Sequence, residues 1–128
     1  MTSNLVIAES YILILNELGH QATIHYLERI KTSPRILKIY SNEDLESEAE
    51  ELLIKYSDQD FSYADAVSFA IMKREKIKKA FSFDGHFSTA GFINPVVALN
   101  SALGFIKPLP IEERPFNPCH LLDSLKKL

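Results

Sequence analysis

Apolar residues that recur every three or four positions divide the first part of the chain into helices, and short alternating runs mark strands between them. Ser3 or Asn4 can cap a first helix, on which Leu5, Ala8, Tyr11, Ile12, Leu15 and Leu18 form one stripe. Gly19 is placed to take the left-handed conformation that ends it near Leu18. Val6, Ile7, Leu13 and Ile14 carry apolarity most of the way round, so burial on several sides is expected. A second helix over residues 20–31 would turn Ala22, Tyr26, Leu27 and Ile30 inward. Pro34 then breaks the chain, and RILKIY at 35–40 alternates like a strand. Ser41 and Asp44 have capping-box spacing, and the helix after them places Leu45, Ala49, Leu52, Leu53 and Tyr56 on one face. The acids of that helix (Glu43, Asp44, Glu46, Glu48, Glu50 and Glu51) fall mostly on the other face, as a solvated surface.

The polar loop SDQDF leads into the chemically richest stretch, residues 61–92. Ser62 and Asp65 form a second capping box ahead of a helix whose core positions are Ala66, Val67, Ala70 and Ile71. Small residues there allow close approach to a neighbouring helix. Lys73, Arg74, Lys76, Lys78 and Lys79 follow, and this run suits the helix dipole and solubility ahead of the sharper reading, phosphate contact. AFSF at 80–83 reads as a strand with Asp84 where it runs out. Ligands of open α/β sheets bind at the carboxyl ends of strands. One acid from a helix start and one from a strand end therefore point to a cation site. Helix, helix, strand, helix, helix, strand predicts α/β layering with a parallel sheet. Two strands are thin cover for four helices, and the pattern lacks an element to lie against the first.

Composition narrows the picture only mildly. A chain of 128 residues with 46% hydrophobic content suits one soluble domain with its own core. A net charge of −3 does not mark a nucleic-acid binder, nor does it exclude one, since a bound metal changes the local sign. No stretch approaches the roughly 18 apolar residues of a membrane span, and the N-terminus lacks the features of a signal peptide. Cys119 is the only cysteine, which excludes an internal disulfide and suits a reducing cytosol. His20 and His25 are spaced wrongly for helical metal ligands, and Cys119 beside His120 lacks an orienting acid. His86 could reach a phosphate, but a structural or solvent role takes precedence. Glu9, taken alone, reads as a solvent-reaching carboxylate.

Residues 93–128 differ in composition and carry five of the six prolines: Pro95, Pro108, Pro110, Pro115 and Pro118. VVALNSALGF at 96–105 needs cover as a helix or strand, KPLPIEERPFNP should be extended, and HLLDSLKKL can form a short amphipathic helix. The domain reading is thus 1–92 as one unit and 93–128 as a Pro-rich extension, docked or partly flexible.

The segments NLVIAESYILILNELG, FSYADAVSFAIMKR and AFSFDGHFSTAGF together resemble a PIN domain, most closely the bacterial ribonucleases of the VapC toxin type. The pairing of SYADAVSFAIM with FSFDGHF carries the specificity. The resemblance implies a three-layer α/β/α fold with a short parallel sheet. It also implies a cluster of acids around Mg2+ or Mn2+ that hydrolyses RNA. Position by position, Glu9 falls on the family's helix glutamate, Asp65 on its helix-start aspartate and Asp84 on the aspartate after the strand. Ser62 falls on the small hydroxyl residue before the second of these, a substrate-binding position. The family's opening strand and its metal-binding aspartate have no counterpart in the chain, which therefore reads as an N-terminally truncated PIN domain, through a late start assignment or a true truncation.

Convergent acids have a physical rationale. Two carboxylates about 5 Å apart repel by roughly 3 kcal/mol at an effective dielectric near 20. They therefore take up a proton or bind a cation, and magnesium prefers such hard oxygen ligands. The expected function is a divalent-metal-dependent endoribonuclease in the cytoplasm, with Glu9, Asp65 and Asp84 as metal ligands and catalytic acids. Turnover should be weakened by the absent fourth acid. The alternative is an inactive remnant serving as a binding or scaffolding module. Expected partners are RNA, an antitoxin protein and a second copy in a homodimer, with no membrane association.

Overall fold

The structure, a computed structural model, describes residues 1–83 and 85–103, with side chains as far as residue 99. Asp84 and residues 104–128, including Cys119 and His120, lie outside the described residues.

Ser3 begins the fold in two roles at once. Its backbone belongs to strand β1 (Thr2–Ser3), and its side chain accepts from the Val6 amide at 3.1 Å as the N-cap of helix α1 (Asn4–Thr32). β1 runs parallel to β2 (Lys38–Ile39), with Thr2 opposite Lys38 and Ser3 opposite Ile39. The strand read at 35–40 is therefore reduced to two paired residues. Its partner turns into a helix at Asn4, and a ladder ends where the partner leaves it. β1 itself was not foreseen from the sequence.

Gly19 interrupts α1 with φ 81° and ψ 179°, a conformation that side chains other than glycine's rarely allow. Two helical segments on either side of Gly19 match the reading of two helices. Thr23, buried just after the break, donates to the Gly19 carbonyl at 2.9 Å. The expected burial of the first segment on several sides is not met among the described residues. Leu13 is 63% and Leu18 71% exposed, because α1 packs chiefly on α3 and β1 along one side only.

Helix α2 (Glu43–Lys55) is capped by Asn42, whose side chain accepts from Leu45 N at 3.0 Å, and not by Ser41. The Ser41 amide instead donates to Asn4 Oδ1 at 2.9 Å, which ties the lead into α2 to the start of α1. Helix α3 (Tyr63–Arg74) packs against α2 more extensively than any other pair of elements does. Leu45, Ala49, Ala66, Val67, Ala70 and Ile71 form their shared core, with Leu5, Ile39, Leu52 and Leu53 at its margin. The alanines allow the close approach that the sequence suggests.

Past α3, the expected strand at 80–83 is absent. Lys79 makes one parallel bridge to Ile93, through Ile93 N to the Lys78 carbonyl at 2.8 Å and Ala80 N to the Ile93 carbonyl at 2.9 Å. Phe81 and Phe83 lack a neighbouring ladder among the described residues and stand 80% and 79% exposed. Helix α4 (His86–Thr89) and helix α5 (Pro95–Leu103) complete the described chain. Asn94 opens α5, its Oδ1 accepting from Val96 N at 3.2 Å, with proline at the first helical position. No described helix is long and apolar enough to cross a membrane.

A second core, entirely aromatic, fixes α4. Phe69 of α3 is buried between Phe61 (ring centroids 5.1 Å), Phe87 (5.0 Å) and Phe92 (5.7 Å). Each such ring pair adds roughly 0.5–1.5 kcal/mol beyond the area it buries. Sequence periodicity did not single out Phe69. It holds the short helix α4 against the start of α3.

Candidate active site

Asp65 occupies the third position of α3, where the helix dipole favours a negative charge. The reciprocal capping box is complete: Asp65 N donates to Ser62 Oγ and Ser62 N donates to Asp65 Oδ2, both at 3.1 Å. The geometry follows from local sequence alone, since a hydroxyl and a carboxylate three positions apart satisfy two otherwise orphaned amides. Ser62 therefore has a structural use for its hydroxyl and is not among the residues lining the cleft described next.

Glu9 and Asp65 line a single cleft of about 530 Å³. Ser68, Met72 and Ile77 contribute to its wall, with Lys79, Ser82 and Phe87. Glu9 arrives from the exposed side of α1 and Asp65 from the capped start of α3. Two of the three acids singled out in the sequence are thus brought together. The third, Asp84, lies outside the described residues. Among the described residues no group of three His, Cys, Asp or Glu side chains is arranged to hold a metal.

His86, the first residue of α4, places Nδ1 2.9 Å from Asp65 Oδ2. Its ring also meets Phe61 edge-on, with centroids 5.6 Å apart. Sequence reasoning assigned His86 a structural or solvent role and did not foresee this contact. The signal lay in the phenylalanines at 61, 69, 87 and 92, whose clustering brings the start of α4 to the start of α3. Lys79 supplies a cation to the wall of the cleft, so part of the basic run borders the same cleft as the two acids. Arg74 is engaged elsewhere, bonding Glu48 of α2 through Nε at 3.0 Å and Nη2 at 2.7 Å.

The cleft thus receives one acid from the first long helix and another from a capped helix start. The PIN domain family profile matches residues 1–93, and the chain belongs to that family. Among its relatives is the 23S rRNA-specific endonuclease VapC20 of Mycobacterium tuberculosis, in strains CDC 1551 and H37Rv. It is 38% identical over 94 residues, which span 73% of this chain and 70% of the relative. The crystal structure of VapC20, described as a Sarcin-Ricin loop cleaving toxin, aligns with a TM-score of 0.69 at 38% identity. That alignment covers 73% of this chain and 71% of the VapC20 chain.

Proposed function

We propose that the protein is a divalent-metal-dependent endoribonuclease of the PIN toxin type, working in a reducing cytoplasm. The observation that carries this reading is the convergence of Glu9 and Asp65, from separate helices, on one cleft. The family supports it, and so does the 38% identity to an rRNA endonuclease.

The donor chemistry fits the cofactor. Carboxylate oxygens are hard ligands of the kind Mg2+ and Mn2+ take. In this reading Glu9, Asp65 and Asp84 hold the cation, directly or through water, and residues 1–92 form the catalytic unit to which 93–128 is an extension. When bound, the cation would supply Lewis-acid polarisation of the phosphate. The capping box keeps the Asp65 carboxylate from rotating away from the cleft, and the Lys79 ammonium offsets charge on a phosphate entering it. Hydrolysis adds a water oxygen to phosphorus and breaks the bond to one ribose oxygen. One proton from the water goes to that departing oxygen and the other to solvent. RNA is the proposed substrate, with a large-subunit rRNA loop the first to test. A neutralising antitoxin and a second copy of the chain are the proposed protein partners.

Glu9→Gln is the cleanest test, because Glu9 is outside the capping box that makes Asp65 structural as well. Incubation with an RNA carrying a sarcin–ricin-type loop and Mn2+ should show cleavage that this variant loses by more than about 100-fold, beyond what outer-shell changes cost. Its thermal melt should match the parent's. Undiminished cleavage by Glu9→Gln removes the assignment. Exposed Phe81, at the cleft, favours the second reading, a binding module. RNA retention by a parent protein that cleaves nothing would select it.

A further inference from the structure

We propose that His86 is a positioning residue for Asp65, holding one carboxylate oxygen so that the other is presented to the cleft. This rests on the reading of Asp65 as a cation ligand. Asp65 Oδ2 receives two donors, Ser62 N at 3.1 Å and His86 Nδ1 at 2.9 Å. An ionised carboxylate only accepts, so Nδ1 carries the hydrogen in this pair. Oδ1 takes no protein hydrogen bond among the described residues and is the oxygen left for a ligand.

The imidazole is itself held. Its ring packs edge-on against Phe61, Phe61 packs against Phe69, and Phe87, next to His86 in the chain, packs against the same Phe69 ring. Phe69 and Asp65 are both on α3, so donor and acceptor are referenced to one helix. With the Asp65 side chain 15% exposed and that of His86 40%, the pair is too shielded to be a loose surface contact and open enough for substitution to be tolerated. Outer-shell donors of this kind fix the orientation of a ligating side chain.

The substitutions His86→Asn and His86→Gln separate this role from simple packing or charge. An asparagine amide nitrogen can stand near the place of Nδ1, whereas a glutamine amide extends toward the place of Nε2. Neither carries a charge. Mn2+ binding to the full-length protein, read from the loss of the free-ion electron paramagnetic resonance signal, is the primary measurement. His86→Gln should weaken Mn2+ binding by about 10- to 100-fold, and His86→Asn should restore it to within about 3-fold of the parent. Thermal melts of the metal-free variants should agree with each other. Equal weakening by both variants, or none by His86→Gln, overturns the proposal while leaving the cation site standing. A parent that binds no Mn2+ overturns the cation site and, with it, this role.

Discussion

Lys76 has φ 55°, a left-handed conformation that glycine usually supplies at the end of a helix. The reason is a complete Schellman motif closing α3: Ile77 N reaches the Met72 carbonyl at 2.8 Å and Lys76 N reaches that of Lys73 at 3.2 Å. The same motif closes α4 with Gly91 at φ 90°, Phe92 N meeting the Phe87 carbonyl at 2.9 Å and Gly91 N that of Ser88 at 3.0 Å. A β-carbon in the left-handed region costs about 1–2 kcal/mol, partly offset by the greater freedom glycine has in the unfolded chain. Lys76→Gly should therefore stabilise the protein by about 0.5–1 kcal/mol. Gly91→Ala should destabilise it by about 1 kcal/mol for backbone reasons alone, since nothing lies within 4 Å of the added carbon. Urea melts of both variants check the pair, and a shift of the same sign in each would contradict this account. The basic run marked where the helix ends, but a lysine carries no turn signal, so the left-handed conformation at residue 76 was not legible in the sequence. The cap at Ser62 was, because its partners are three positions apart.

At the scale of elements, α2 and α3 are joined by their alanine-lined core and by the Glu48–Arg74 pair at the rim. The Arg74 hydrogen bonds hold the Glu48 carboxyl below its ordinary range, more than desolvation opposes this. A carboxylate depressed by folding contributes stability above its unfolded value, and loses it as pH falls through the folded one. Glu48→Gln should accordingly lower the melting temperature at neutral pH by a small amount, as an exposed pair warrants, and the gap to the parent should close in acid. Melting curves from pH 7 to 3 test this, and a gap that widens toward acid would reverse the sign. Phe69→Ala should cost about 3–5 kcal/mol by emptying the aromatic core. Loss of the His86–Asp65 contact should accompany it, visible as altered His86 ring resonances in NMR spectra. The helical segments of α1, α2 and α3 were legible from sequence because caps and stripes are local, whereas α4 was not foreseen and α5 was read as helix or strand. Of the strands, β2 was legible by the alternation of RILKIY but not in its short extent, and β1 was not legible, since the two pair only two residues and neither declares its partner. Asp65 could be read from its cap and Glu9 only by family resemblance. The His86 contact escaped because it depends on rings far apart in sequence meeting at Phe69.

For the molecule as a whole, the apolar residues left outside the cores decide the behaviour in solution. Phe81 and Phe83 are exposed, their rings 5.5 Å apart, and Leu18, Ile54 and Tyr40 are also open to solvent. Clustered apolar exposure marks surfaces that associate. A net charge of only −3 gives weak electrostatic repulsion to oppose association. The proposed homodimer would cover such surface, and the two phenylalanines are where it can be tested. Replacing both with serine removes apolar area that folding does not bury, so unfolding free energy should change by no more than about 0.5 kcal/mol. Association should respond instead. Sedimentation velocity over a concentration series should show the parent shifting toward a larger species and the double variant remaining smaller. Equal association would place the self-contact elsewhere, whereas a loss of several kcal/mol in stability would mean that the rings are buried in the folded monomer.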